Sequence, residues 1–241
     1  MKEHPTTEVI IKKAKVDKKI IPVVNWLNGF LQETTMKDYP SIPKVLNDYL
    51  NLDCIAFYKY DGSQIRVEWT KKKGWHQFAT RGRLFDKTDK NFGIAVDIFH
   101  QTHAETLTKA IKDNYPKAEE AIVFMEFVGP HSFAGLHDSG VLNVENNDPK
   151  KLVLFDVNIH KRGIISPKDF ISKFNGAEVV YQGKLTEDFI KKVREKQFPI
   201  DEGVVCKGGE GHKIWMCKIK TWDYLKKIQK FFGSSYGQYW E

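Results

Sequence analysis

Apolar residues change their spacing several times along this chain, and each change marks an element. Behind a polar, lysine-rich start from Met1 to Lys19, Val23, Val24, Trp26, Leu27, Phe30 and Leu31 recur at helical intervals. Pro22 precedes them and suits a first helical turn, so a core-packing helix is predicted. A second short helix is predicted from Ser41-Ile42-Pro43 through Leu50, with Val45, Leu46, Tyr49 and Leu50 on its apolar face. The period then drops to two. Cys54 to Tyr60 reads as a strand; Ile65, Val67 and Trp69 alternate with Arg66 and Glu68; and Trp75 to Thr80 follows beyond the turn Lys71-Lys72-Lys73-Gly74.

Helical spacing returns from His103 to Tyr115 and is ended by Pro116, before an apolar strand from Ala121 to Val128 and a loop from Gly129 to Gly140. Leu152 to Asn158 reads as a buried strand. Ser166-Pro167 opens a short helix that stops at Asn175-Gly176, and a further helix follows Thr186. Strands at Gly203 to Lys207 and His212 to Lys220 flank the turn Gly208-Gly209-Glu210-Gly211. Trp222, Leu225, Ile228 and Phe231 predict a last helix closed by Gly233. Strands and helices mix without a βαβ rhythm, so the expected class is an antiparallel-rich α+β fold. Its expected organisation is a main domain over 51–221, a helical segment over 1–50 packed on it, and a short C-terminal helix over 222–241.

Composition changes this picture only modestly. The 241 residues are enough for a sizeable core, and 38 Lys plus Arg against 31 Asp plus Glu leave a net charge of +7, which favours a polyanionic partner. Three cysteines, Cys54, Cys206 and Cys217, form no C-x-x-C pair, which argues against a disulfide framework or a four-cysteine zinc site. No run approaches the length of a membrane span, and the N-terminus lacks an apolar signal region. A cytoplasmic protein is expected.

Candidate chemistry centres on Lys59-Tyr60-Asp61-Gly62-Ser63, where a lysine beside a carboxylate, a glycine and a hydroxyl can act as a covalent nucleophile toward a nucleotide phosphate. Such a lysine must lose its proton, although its ordinary pKa is about 10.4. Nearby cations would depress that value. Lys218 and Lys220, two apart on a strand, share a face and can supply the charge. Glu126 lies among Phe124, Met125, Phe127 and Val128 and needs a hydrogen-bonding partner, which a ribose hydroxyl would provide. Glu202, beside Asp201, suits a magnesium ion bound with phosphates. Each residue alone has a plainer reading: solvated lysines, a Glu126 paired with a buried Arg or Lys, a core Phe155, an Asp201 that caps a turn. His100-x-x-His103 and the pair His131 and His137 imitate metal spacing without further ligands, and surface histidines are the simpler reading.

The lysine motif is followed in order by Thr80-Arg81-Gly82, Phe124-Met125-Glu126-Phe127-Val128-Gly129, Phe155-Asp156-Val157, Asp201-Glu202-Gly203-Val204-Val205-Cys206-Lys207 and Lys218-Ile219-Lys220. Over roughly Cys54 to Thr221 this series resembles the covalent nucleotidyltransferase superfamily of ATP-dependent polynucleotide ligases and mRNA capping enzymes. The resemblance implies an ATP-grasp-like ligase adenylation domain that uses ATP with Mg²⁺ or Mn²⁺. It implies that Lys59 is the nucleophile, that Lys218 and Lys220 assist, that Glu126 meets the ribose and Arg81 the sugar or phosphate, that Phe155 stacks on the purine, that Lys207 contacts phosphate and that Glu202 is associated with the metal.

Two features bear on which enzyme this is. DNA ligases and capping enzymes generally carry an oligonucleotide-binding barrel after the K-x-K motif, whereas 21 residues follow Lys220, so no such barrel is expected. DNA ligases also typically place an arginine five residues after the nucleophile. Here that position is Gln64, with Arg66 two further on along the same strand face. Both features favour a compact, phage-type RNA ligase, expected to act as a monomer, in the host cytoplasm if phage-encoded. It would join 5′-phosphate and 3′-hydroxyl ends of RNA or of a nicked duplex. A nick-sealing DNA ligase, a GTP-using capping enzyme and an inactive nucleic-acid-binding domain are the alternatives.

Overall fold

In the computed structural model the described residues are 36–44, 47–138 and 150–238. The helix expected behind Pro22 lies outside them. The lysine motif begins where Asp53–Lys59 (β1) ends, and Ser63–Thr70 (β2), Gly74–Thr80 (β3) and Leu84–Phe85 (β4) follow. Helices Gly93–Thr102 (α1) and Ala104–Asn114 (α2) lead to Glu120–Val128 (β5). After the short helix Phe133–His137 (α3) come Lys151–Ile159 (β6), Gly163–Ile164 (β7) and Pro167–Lys173 (α4). Val179–Lys184 (β8), Glu187–Arg194 (α5), Gly203–Gly208 (β9), Trp215–Lys220 (β10) and Trp222–Phe232 (α6) complete the order.

The strands form two sheets, β10-β9-β1-β8 and β4-β3-β2-β5-β6-β7, with every named pair antiparallel. The expected α+β, antiparallel-rich class is therefore observed. β1 is apolar without alternation because both of its faces are buried. Ile55 and Phe57 join the large core with Val67, Phe99, Val123 and Phe127, while Cys54 and Ala56 join a second core with Phe189, Val193, Cys206 and Ile219 beneath α5. Strand parity then sends Lys59 to the side of Ile55 and Phe57. On β9 and β10, Val204, Cys206, Cys217 and Ile219 fill the second core, and the intervening Val205, Lys207 and Lys218 face a cleft.

Local signals explain most boundaries. Thr186 and Thr221 accept the N–H of Phe189 and Tyr224 at the starts of α5 and α6, and Ser166 accepts that of Asp169 at α4. The helix expected over 41–50 is not formed in the described part. Residues 37–43 form no regular secondary structure, and a 3-10 turn spans Asn47–Tyr49. Pro40 and Pro43 disfavour a helix there, and the edge of β10 takes the strap instead: the Lys218 N–H donates to Pro43 O at 2.9 Å, and Lys44 bridges Lys218. The structure adds α1, whose Ala95, Val96 and Phe99 face the core, and β8, an edge strand whose residues are half-buried or exposed. The loop expected from Gly129 contains α3.

Candidate active site

Register brings the charged ends of three strands together. Lys59 pairs with Gly203 across β1 and β9, and Gly203 pairs with Lys220 across β9 and β10. Gly203 (φ 153) is required at this junction, since a Cβ there would lie 2.0 Å from Ile219 O. Glu202, 3% exposed, forms ion pairs with both lysines through one oxygen, 2.8 Å from Lys59 Nζ and 3.6 Å from Lys220 Nζ. Gly62 lets the following turn lie against β5, where a Cβ would meet Phe127 O at 2.5 Å and Glu126 Cγ at 2.8 Å.

The electrostatics differ from the expectation of a depressed lysine. Burial lowers the Lys59 pKa, but Glu202, Glu126 and Asp61 together outweigh it and hold the ammonium above its ordinary value. Three carboxylates surround this lysine, and the cationic partners act elsewhere: burial is the main force lowering the Lys220 pKa, and Lys59 and Lys218 add to it. Glu126 is pushed up to about 8, first by loss of water around its carboxyl and then by Glu202 and Asp61, against the pull of Lys59. A carboxyl of this kind is protonated near neutrality and can donate to a ligand hydroxyl as well as accept from it.

A cleft of about 620 Å³ opens in front of Lys59, a size that suits a nucleotide. Lys59, Gln64, Arg81, Glu126, Phe155, Lys207 and Lys218 all contribute to its lining, whereas Glu202 and Lys220 stand behind Lys59. Arg81 is exposed at the rim. Gln64 lies directly across from Glu126 on the neighbouring strand, and its buried amide nitrogen has no partner among the described residues, as expected of a group kept for a ligand.

Phe155 lines the cleft, edge-on to Tyr39 with ring centres 5.0 Å apart, and Tyr39 also packs 4.8 Å from Phe124. Behind it lies a buried polar group that the sequence reading did not assign. Lys207 Nζ donates to Asp156 Oδ2 and to Phe155 O, both at 2.7 Å, and the Tyr39 hydroxyl donates to Asp156 Oδ2 at 2.8 Å. Burial, and then Asp156, pushes the Tyr39 hydroxyl well above its ordinary pKa. Lys207 is 4% exposed, and its ammonium braces the strand that carries Phe155. A lone carboxylate in the apolar strand Leu152-Val153-Leu154-Phe155-Asp156-Val157 was the available signal, because a buried charge needs a buried partner.

Arg66 does not substitute for the arginine that DNA ligases place near the lysine. It is fully buried, donates to Met36 O at 2.8 Å and Thr80 O at 3.1 Å, and pairs with Asp38. It anchors the strap of residues 36–42, of which Tyr39, Pro40, Ser41 and Ile42 wall the cleft. His103 meets Leu152 O at 3.0 Å, His137 is buried beside Asp61, and among the described residues no cluster of three or more His, Cys, Asp or Glu is spaced to hold a metal by itself.

Two antiparallel sheets with Lys59 in the lining of the cleft between them make up this architecture. The same fold occurs in solved structures of the RNA ligase of Naegleria gruberi. An apo point mutant matches with a TM-score of 0.58 at 14% identity, covering 81% of this chain and 59% of that one. A point mutant with ATP and Mn matches at 0.57 and 14% identity over 80% and 58%, and the form with PPi at 0.57 and 15% over 81% and 59%. This chain thus spans a little under three-fifths of that enzyme's length. No family model matches the sequence, and no curated protein matches it.

Proposed function

We propose that this protein is an ATP-dependent RNA ligase that works through a lysyl-AMP intermediate. The observation that carries this reading is Lys59 at the mouth of a nucleotide-sized cleft, ringed by Glu126, Glu202 and Lys220, in a fold shared with an RNA ligase. Gln64 in place of an arginine favours RNA over nicked DNA. Lys59 Nζ attacks the α-phosphorus of ATP; a P–N bond forms and the bond to the pyrophosphate oxygen breaks. An oxygen of the RNA 5′-phosphate then attacks the same phosphorus and releases the lysine. The 3′-hydroxyl finally attacks the 5′-phosphate, forming the phosphodiester and releasing AMP. Positioning and charge stabilisation account for most of the rate in such chemistry.

The chain's own residues set the proton state. With Glu202 at 2.8 Å, Lys59 keeps its proton; Lys220, 3.6 Å from the same oxygen, is the alternative partner that can hold Glu202 while Lys59 becomes neutral. Phe155 offers its face to the purine, Glu126 and Gln64 meet the ribose, and Lys218 and Arg81 face the phosphates. Mg²⁺ or Mn²⁺ fits this donor set, because one carboxylate, Glu202, with phosphate oxygens suits a hard cation. When bound it supplies positive charge at the phosphates. Incubation with ATP and Mg²⁺ should leave an AMP adduct on Lys59 in peptide mass spectrometry, absent from Lys59→Ala. A wild-type lysine that stays unmodified under all conditions refutes the proposal. A panel of 5′-phosphorylated RNA and DNA strands, single and nicked, should be sealed fastest when RNA supplies the ends.

A further inference from the structure

Asp61, two residues beyond the nucleophile, has both carboxylate oxygens taken up by side chains from distant parts of the chain. The Tyr224 hydroxyl donates to Oδ1 at 3.1 Å, and His137 Nε2 lies 3.1 Å from Oδ2. Tyr224 sits in the first turn of α6, whose cap, Thr221, immediately follows Lys220; the Thr221 N–H donates to Glu202 O at 2.9 Å and its hydroxyl to Asp201 O at 2.8 Å. The ring of Tyr224 lies 5.2 Å beneath the Lys220 ammonium. One helix start thus touches the Lys220 ammonium, the main chain of Glu202 and the Asp61 carboxylate.

His137 is placed for the same carboxylate. Its side chain is wholly buried, with its ring against Phe133, Tyr224, Phe231 and Phe232, and its second nitrogen, Nδ1, has no partner among the described residues. A buried imidazole with one ring nitrogen unmet is not explained by packing alone, since an apolar side chain would fill the space without that cost. Its polar contact among the described residues, to Asp61, is the reason for an imidazole at this position.

We infer that Tyr224 and His137 are positioning residues that clamp the Asp61 carboxylate beside Lys59, so that the helix after the K-x-K strand sets the geometry of the lysyl-AMP step. The inference rests on the ligase reading above. A clamp of this kind alters the rate of adduct formation at saturating ATP and leaves nucleotide binding alone, because neither residue lines the nucleotide cleft.

The test is single-turnover formation of the Lys59–AMP adduct, followed by mass spectrometry across ATP concentrations and paired with thermal melting. Tyr224→Phe, which removes only the hydroxyl, should lower the maximal rate about ten-fold, the equivalent of one hydrogen bond to a charged group, with half-saturating ATP within about two-fold of wild type and an unchanged melting temperature. His137→Leu should act in the same direction, and His137→Gln, which keeps a donor, should recover part of the loss. A wild-type rate for Tyr224→Phe overturns the clamp. So does a defect confined to ATP saturation, or one that appears only with a lowered melting temperature. A wild-type protein that never forms the adduct overturns the ligase reading and the clamp together; a reactive wild type with an equally fast Tyr224→Phe overturns the clamp alone.

Discussion

Replacing Lys207 by methionine separates a brace from a ligand contact. The side chain is 4% exposed and its ammonium joins Asp156 Oδ2 and Phe155 O at 2.7 Å, so Lys207→Met leaves a carboxylate at 1% exposure without its cation. Removing one partner of a buried pair costs about 3–5 kcal/mol. Asp156 keeps the Tyr39 hydroxyl at 2.8 Å and the Val157 N–H at 2.9 Å, which places the cost near about 3 kcal/mol, the lower end of that range. At about 2–4 °C per kcal/mol for a chain of this size, the melting temperature should fall by about 6–12 °C. Differential scanning fluorimetry measures this directly. Adding Asp156→Asn to Lys207→Met removes the stranded charge and should recover more than half of the loss. A Lys207→Met protein that melts like wild type but no longer forms the AMP adduct would refute the brace and return Lys207 to a phosphate-contacting role.

Glu126 gives a pH signature. Its carboxyl titrates near 8 in the folded protein against an ordinary 4.5, so folding favours the protonated form; that contribution is complete below about 4.5 and is lost as pH rises through 8. Urea midpoints should fall over this window with a slope of at most about 1.4 kcal/mol per pH unit, and Glu126→Gln should remove that slope; an identical slope in the variant would refute the assignment. Phe155→Ala should raise the ATP concentration for half-maximal adduct formation by the equivalent of about 1–3 kcal/mol of stacking, and Phe155→Tyr should restore it; unaltered ATP dependence in Phe155→Ala would remove Phe155 from the base site. Arg66→Met should lower the urea midpoint by the equivalent of about 3 kcal/mol, because the carbonyls of Met36 and Thr80 and the Asp38 carboxylate lose their donor; stability unchanged from wild type would show that the strap holds without it.

Residues whose chemistry is tied to a strand position were legible in the sequence. Lys59, Glu126, Phe155, Lys218 and Lys220 stand at fixed parities on β1, β5, β6 and β10, and two-residue periodicity places their side chains without knowledge of the fold. What escaped depends on pairing between distant segments. Asp156 and Lys207 are 51 residues apart, and Tyr224 and Asp61 are 163 apart, so neither pair leaves a local pattern. The strap from Met36 to Ile42 was obscured by helical spacing in Val45, Leu46, Tyr49 and Leu50, although Pro40 and Pro43 pointed the other way. The carboxylate beside Lys59 also required the structure: nearby lysines can be counted along the chain, but only the register sets Glu202 2.8 Å from Lys59 and 3.6 Å from Lys220.

β1 serves two cores with side chains of unequal size, Cys54 and Ala56 toward one and Ile55 and Phe57 toward the other. A slip of one residue would push a phenylalanine into the space of an alanine and turn Lys59 out of the cleft, leaving Tyr58 or Tyr60 in its place. The side of the strand that Lys59 occupies is therefore guarded by volume several residues upstream. A substitution such as Ala56→Leu, on the opposite face of the strand from Lys59, would act on the cleft by unsettling which side of the strand the lysine occupies.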